Sequence, residues 1–168
     1  MEETSLSPDK VRRSIVDDLD TMLELEQAID SLGVPVILIE GEDPFGPIIL
    51  FNRAAEYFFG YSRKEMKGSS IERLIPESAK ARHPAYRKDF VKQPNSRLMG
   101  AGRPLKGVTS KGLEVDVIVA LGSYMSARGV KVASAIVLDK ALLMSEFHHS
   151  GMMLPDKTPP LKSNDESA

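Results

Sequence analysis

The chain has 168 residues, of which 42% are hydrophobic and 27% charged, and this predicts about one domain around a single core. A formal charge of −2 gives no general attraction to nucleic acid or to an anionic membrane, so neither partner is expected. The absence of cysteine excludes disulfides, thiolate metal sites, cysteine nucleophiles and flavin–cysteine adducts. No signal-peptide pattern and no apolar run of roughly 20 residues is present, which predicts a cytoplasmic protein.

The amino-terminal part predicts a helix over residues 8–32, because apolar residues recur there at spacings of three, four or seven between charged ones. Glu26 interrupts the apolar face, so the stripe is too short for a free-standing coiled coil. Two alternatives stay open for this helix. It packs on a sheet of its own chain, or it dimerises with a second copy.

From Gly33 the pattern changes to strands. Residues 35–39 and 48–51 are aliphatic and β-branched runs joined by a Gly/Pro-rich turn, which predicts two paired strands. Asn52 then heads a short helix as its cap residue. The sequence Ser62-Arg-Lys-Glu65 follows, a capping-box pattern that predicts the start of a second short helix.

The second half predicts one more helix and then a set of strands. Residues 77–93 read as a helix that is broken or kinked at Pro84. The last third predicts an antiparallel meander of three strands, over residues 103–109, 113–123 and 130–139. The complete order of elements predicts an α+β fold, with helices over one face of an antiparallel sheet.

The segment from Asn52 to Gly68, which continues to Leu74-Ile75-Pro76, resembles the signature of PAS domains. This resemblance implies a five-stranded antiparallel sheet in the order 2-1-5-4-3, with short helices over one face. It also implies a sensory or signal-transduction function. The organisation expected from it is a flanking helix over residues 1–32, a PAS sensor domain over 33–142 and a mostly disordered tail over 143–168.

A second motif, Arg82-His83-Pro84-Ala85-Tyr86 followed twenty residues after the histidine by Arg103, resembles the FixL-type and direct-oxygen-sensor heme PAS domains. The resemblance implies heme b with His83 as the proximal iron ligand and Arg103 as the donor to the bound gas. The other positions that it implies for cofactor binding are Tyr86, Arg97, Leu98, Val119 and Leu121. Leu98, Val119 and Leu121 would keep the distal side dry, and Arg97 would pair with a propionate.

Two classes of function stay open at this point. The first is a heme-based sensor of oxygen or another gas. The second is a cofactor-free PAS module for homodimerisation, protein–protein interaction or small-metabolite binding. No nucleophile and base occur at a telling spacing, so an enzyme is not expected. Because no kinase, cyclase or DNA-binding pattern follows Asp139, we expect any signal to pass to a separate, unidentified partner chain. A homodimer, formed through the flanking helix and the sheet face, is also expected.

Overall fold

A computed structural model describes residues 23–41, 46–92, 95–143 and 145. They belong to two compact units, which divide between Gly33 and Val34. In the first unit, residues 23–31 form a helix, α1, on which Leu23 and Leu25 are exposed. This is the described part of the helix predicted over residues 8–32. The predicted disordered tail lies almost entirely outside the described residues, and the predicted domain limits stay predictions.

The described part of the second unit contains six strands in one antiparallel sheet. They are β1 (Val36–Glu40), β2 (Ile48–Phe51), β3 (Arg97–Met99), β4 (Lys106–Val108), β5 (Glu114–Met125) and β6 (Lys131–Asp139). The order across the sheet is β2-β1-β6-β5-β3, and β4 pairs with β5 beside β3. When β3 and β4 are counted as one interrupted strand, this is the predicted order 2-1-5-4-3.

The strand predicted over residues 103–109 is observed in shorter form as β4 (Lys106–Val108), and β3 (Arg97–Met99) was not predicted. The chain leaves the ladder at Gly100, which has a φ of +91°, a value that favours glycine. A Cβ at this position would overlap the carbonyl oxygen of Val117 on β5. The ladder resumes where the Val117 amide donates to the Leu105 carbonyl at 2.9 Å. Residues 100–105 therefore form an excursion from the sheet.

Short helices cover one face of this sheet. They are α2 (Arg53–Phe59), α3 (Arg63–Met66), a 3₁₀ turn (Ile71–Leu74), α4 (Glu77–Lys80) and α5 (His83–Lys92), and residues 140–143 form a last helical turn, α6. The core lies between the sheet and these helices, with Ile37, Val117 and Ala135 among its sheet residues. Within the described ranges, no helix is long and apolar enough to cross a membrane.

The helix predicted over residues 77–93 is two helices, and the break lies at residues 81–82 rather than at Pro84. Proline lacks an amide hydrogen and has a fixed φ, so it fits the first turn of a helix, where amides have no intrahelical partner. Pro84 therefore lies at the start of α5 and does not kink it.

Asn52 joins the sheet to the first helix of the helical layer. Its side chain is almost fully buried, and its Oδ1 accepts hydrogen bonds from the Ala55 amide at 3.0 Å and from the Val36 amide at 2.8 Å. Its Nδ2 donates to the Val34 carbonyl at 2.9 Å. The predicted helix cap is confirmed, and the same amide also fixes the start of β1.

The predicted capping box at the start of α3 is confirmed as well. The Ser62 hydroxyl accepts from the Glu65 amide at 3.3 Å, and the Glu65 carboxylate accepts from the Ser62 amide at 2.8 Å. The Ser62 hydroxyl also donates to that carboxylate, at 2.7 Å. These hydrogen bonds, led by the one from the Ser62 side chain, lower the pKa of Glu65 from its ordinary value.

Replacing Asn52 with alanine removes the helix cap and leaves buried backbone groups without partners. We expect Asn52→Ala to lower the free energy of unfolding by roughly 3 kcal/mol. Urea denaturation followed by circular dichroism measures this. Asn95→Ala removes an exposed asparagine and is the matched control, for which a change below about 0.5 kcal/mol is expected. Equal losses in the two variants would contradict the role assigned to Asn52.

Alanine substitutions at two glycines with positive φ distinguish the cost of backbone strain from the cost of steric overlap. Gly112 has a φ of +75° and open space around its Cβ position, so we expect Gly112→Ala to cost about 1–2 kcal/mol of unfolding free energy. Gly100→Ala adds the overlap with the Val117 carbonyl, and we expect a loss of about 3 kcal/mol or more. Thermal and urea denaturation compare the two variants. A Gly100→Ala protein as stable as Gly112→Ala would show that residues 100–105 move aside freely.

Candidate functional site

The helix that carries His83 is held at both ends. At the start of α5, Nδ1 of His83 lies 2.6 Å from Oε1 of Glu72 on the 3₁₀ turn. Near its end, the Lys131 ammonium of β6 donates to the Val91 carbonyl at 2.7 Å. This cation meets a carbonyl of the last helical turn, where a positive charge is favoured. α5 therefore reaches from the 3₁₀ turn to the beginning of β6.

α5 lies on the same side of the sheet as the core. Arg97 is directly opposite Leu121 in the register of β3 and β5, so the two side chains share a face. Leu121 packs against the core, and the Arg97 guanidinium lies 5.3 Å from the ring centroid of Phe90, a buried residue of α5. This cation–π contact joins the second half of α5 to β3.

His83 is part of a half-buried polar cluster. The exposed fractions of the His83 and Glu72 side chains are 26% and 17%. Nη1 of Arg87 lies 3.9 Å from the same Glu72 oxygen, with 13% of its side chain exposed. His83 and Arg87 are four residues apart on α5, so both lie on the helix face towards Glu72. Oε2 of Glu72 is buried and accepts no hydrogen bond from the described residues.

The Glu72 contact engages one nitrogen of the imidazole ring. Across the described part of the chain, no hydrogen bond reaches the other nitrogen, Nε2 of His83. A histidine that binds a metal commonly has this arrangement, in which a carboxylate holds the remote nitrogen and the second nitrogen coordinates. The sequence did not indicate Glu72, because it lies eleven positions before His83 and the helix α4 comes between them.

The predicted apolar residues are only partly brought together. Val119 and Leu121 lie two residues apart on β5, so their side chains share one face, and both pack against the core on the helical side. Leu98 is opposite Ala120 in the register, which places it on the other face of the sheet. The structure thus groups Val119 with Leu121 and separates Leu98 from them.

The predicted polar residues lie mainly at the surface. Arg103 is exposed within the excursion of residues 100–105. Tyr86, one turn after His83, has 58% of its surface exposed. Arg97 is also exposed and stacks on Phe90, as described above.

The positions of His83, Val119 and Leu121 decide whether this part of the chain is suited to bind a heme. His83 offers a nitrogen ligand with its second nitrogen held by a carboxylate, and Val119 and Leu121 offer apolar surface on the side where α5 lies. The donor set therefore fits a histidine-ligated heme on the proximal side. In the described ranges, no group of three or more His, Asp or Glu side chains is suited to hold a bare metal ion.

The family model for the PAS fold matches residues 23–131. The chain belongs to the PAS family. It is 30% identical over 127 residues to the oxygen sensor protein DosP of Escherichia coli, covering 76% of this chain and 15% of DosP. It is 28% identical over 102 residues to the sensor protein FixL of Bradyrhizobium diazoefficiens, covering 61% of this chain and 20% of FixL. The chain thus matches one fifth or less of these relatives.

Solved structures agree with the fold. The crystal structure of a PAS domain from a two-component sensor histidine kinase has a TM-score of 0.57 to this chain at 13% sequence identity. The match covers 74% of this chain and 99% of that one. The predicted PAS fold is confirmed, and the chain is a PAS sensory domain. The predicted homodimer, downstream partner and cytoplasmic location concern other molecules or the cell, and they stay predictions.

The Lys131 contact predicts how firmly α5 is attached. Lys131→Met keeps an apolar stem but removes the donor to Val91, a bond worth about 1.5 kcal/mol or more. We expect amide hydrogens in the last turn of α5 to exchange about tenfold faster, as measured by hydrogen–deuterium exchange. Lys88→Met removes the same charge from an exposed position on α5 and is the control. Unchanged exchange in Lys131→Met would show that α5 is held by its other contacts alone.

Proposed function

We propose that this PAS domain binds heme b through His83, senses oxygen or another diatomic gas, and signals to a separate partner chain. The observation that carries the proposal is the 2.6 Å contact between Nδ1 of His83 and Oε1 of Glu72, since it leaves Nε2 for the iron. The similarity to DosP, a protein named as an oxygen sensor, supports oxygen as the gas.

If bound, heme would be held by His83, and its iron would supply the ability to bind a diatomic gas. In the proposal, His83 holds the group on α5, and Glu72 keeps the imidazole oriented. Val119 and Leu121 exclude water from the apolar side, which favours binding of a neutral gas. Arg103 carries several N–H donors on its guanidinium, and these would stabilise partial negative charge on a bound gas.

The flanking residues have secondary roles in the proposal. Arg97 is the exposed first residue of β3, and its guanidinium would donate a charge-assisted hydrogen bond to a propionate. Leu98 and Tyr86 lie away from the apolar pair, on the opposite sheet face and at the helix surface. We therefore assign them smaller effects on heme binding than His83 has.

The proposal is tested by absorption spectroscopy of the purified protein titrated with heme. Spectra are recorded in the ferric, ferrous, carbon-monoxide and oxygen forms for the wild type, His83→Ala and His148→Ala. We expect a strong Soret band in the wild type and in His148→Ala, which removes a histidine outside the described residues. In His83→Ala we expect the heme affinity to fall at least tenfold and free imidazole to restore the ferrous spectrum, because imidazole fills the space left by the side chain.

The alternative outcomes are equally specific. Uptake that is the same in the wild type and His83→Ala would mean that heme binds the surface without this ligand, and the proposal would be wrong. No uptake in either protein would leave a cofactor-free module for protein–protein interaction or metabolite binding. Circular dichroism of each variant confirms that the fold is intact, so that lost binding is not lost structure.

A further inference from the structure

We infer that Glu72 is the positioning residue for His83, because its carboxylate fixes the imidazole in the tautomer with the hydrogen on Nδ1. The identity of the ligand at Nε2 rests on the proposed function. The tautomer itself does not, since it follows from contacts within this chain. Glu72 thereby decides which nitrogen of His83 is available to a ligand and how strongly that nitrogen donates.

The contact has the geometry of a strong hydrogen bond. The distance of 2.6 Å between Nδ1 and Oε1 is slightly shorter than the roughly 2.7–2.9 Å usual for a nitrogen donor and a charged oxygen acceptor. A carboxylate only accepts, so the hydrogen of this bond belongs to His83. With 26% of the His83 side chain and 17% of the Glu72 side chain exposed, the bond lies in surroundings where such interactions are stronger than in water.

The position of Glu72 is set by the core. It lies in the 3₁₀ turn between Ile71 and Leu74, and both of these side chains are buried in the core. Its amide donates to the hydroxyl oxygen of Ser70, the cap residue of the turn, at 3.3 Å, and its carbonyl accepts from the Ile75 amide at 3.2 Å. The carboxylate therefore extends from a backbone that is fixed on both sides.

Arg87 supports the same arrangement from α5. Its guanidinium approaches the oxygen of Glu72 that faces His83, at 3.9 Å, and its side chain is mostly buried. A positive charge at this distance attracts the Glu72 carboxylate and helps to hold it beside His83. Arg87 thus helps to hold the Glu72 carboxylate in place, and Glu72 in turn orients the His83 imidazole.

The chemical consequence follows from the hydrogen bond. When a carboxylate accepts from Nδ1–H, electron density at Nε2 rises and the imidazole becomes a stronger ligand. A stronger imidazole donor favours ferric over ferrous iron and strengthens the iron–histidine bond. Glu72 would thus tune a heme that it does not itself contact.

The first experiment uses the heme-free protein. Nitrogen-15 NMR of the His83 ring is recorded at alkaline pH, where imidazole is neutral, for the wild type, Glu72→Gln, Glu72→Ala and Glu77→Ala. We expect Nδ1 to be protonated in the wild type, and we expect Glu72→Gln to retain this tautomer through its amide oxygen. Glu72→Ala should give a mixture of tautomers. Glu77 has 87% of its side chain exposed, so Glu77→Ala is the matched control and should resemble the wild type.

The second experiment adds heme to the same four proteins. We expect the heme affinity of Glu72→Ala to fall about 10- to 100-fold. Resonance Raman spectra should place the ferrous iron–histidine stretch at lower frequency in Glu72→Gln and Glu72→Ala, and the midpoint potential should be more positive in both. Glu77→Ala should match the wild type in all three measurements. Glu72→Gln keeps the size of the side chain, so the comparison stands even when Glu72→Ala is poorly folded.

The outcomes separate this inference from the proposed function. A wild-type His83 protonated on Nε2 overturns the inference, whatever the protein does with heme. Heme binding through His83 with the same affinity, stretch and potential in both Glu72 variants overturns the inference and leaves the proposed function intact. In a third outcome, NMR finds Nδ1 protonated in the wild type and a mixture of tautomers in Glu72→Ala, but the wild type takes up no heme. This outcome supports the positioning role of Glu72 and overturns the proposed function.

Discussion

One buried amide group, the side chain of Asn52, connects the sheet to the helical layer, and the remaining elements depend on it. It follows β2 directly, caps α2 and binds the backbone on both sides of Pro35 at the start of β1. This buried side chain therefore fixes two strands and a helix relative to one another. Because unpaired polar groups are costly in such a place, the loss of any one of the three bonds would leave a buried group without its partner.

The helical layer that begins at α2 leads to the candidate site through packing. Phe59 at the end of α2 contacts both Phe51 and Phe58 as aromatic pairs. The 3₁₀ turn inserts Ile71 and Leu74 into the same core, and Glu72 between them meets the first residue of α5. Apolar packing of the 3₁₀ turn in the core thus positions the polar cluster around His83. A substitution in the core that shifts the 3₁₀ turn would therefore change the position of the imidazole without a direct contact to it.

The sequence predicted the features whose causes lie within a few residues, and the Asn52 cap is an example. It could not predict features that depend on a neighbouring strand. The need for glycine at position 100 arises from a carbonyl of β5, and the face on which Leu98 lies depends on a register that only pairing sets. The partnership of Glu72 with His83 has no local pattern either, since it forms across two turns. The family signature predicted the PAS architecture, but the geometry of the cluster came from packing.

The pairing of β1 with β6 has a consequence for how the protein is made. Val36 lies opposite Ile136, so the central ladder of the sheet joins the two ends of the domain. During synthesis, β1 leaves the ribosome long before its partner exists, and one of its edges stays open until β6 follows. Such distant pairings slow folding relative to local ones. Nascent chains of this domain therefore carry an open strand edge from the time β1 emerges until β6 follows, and this edge is a place where they are prone to aggregate.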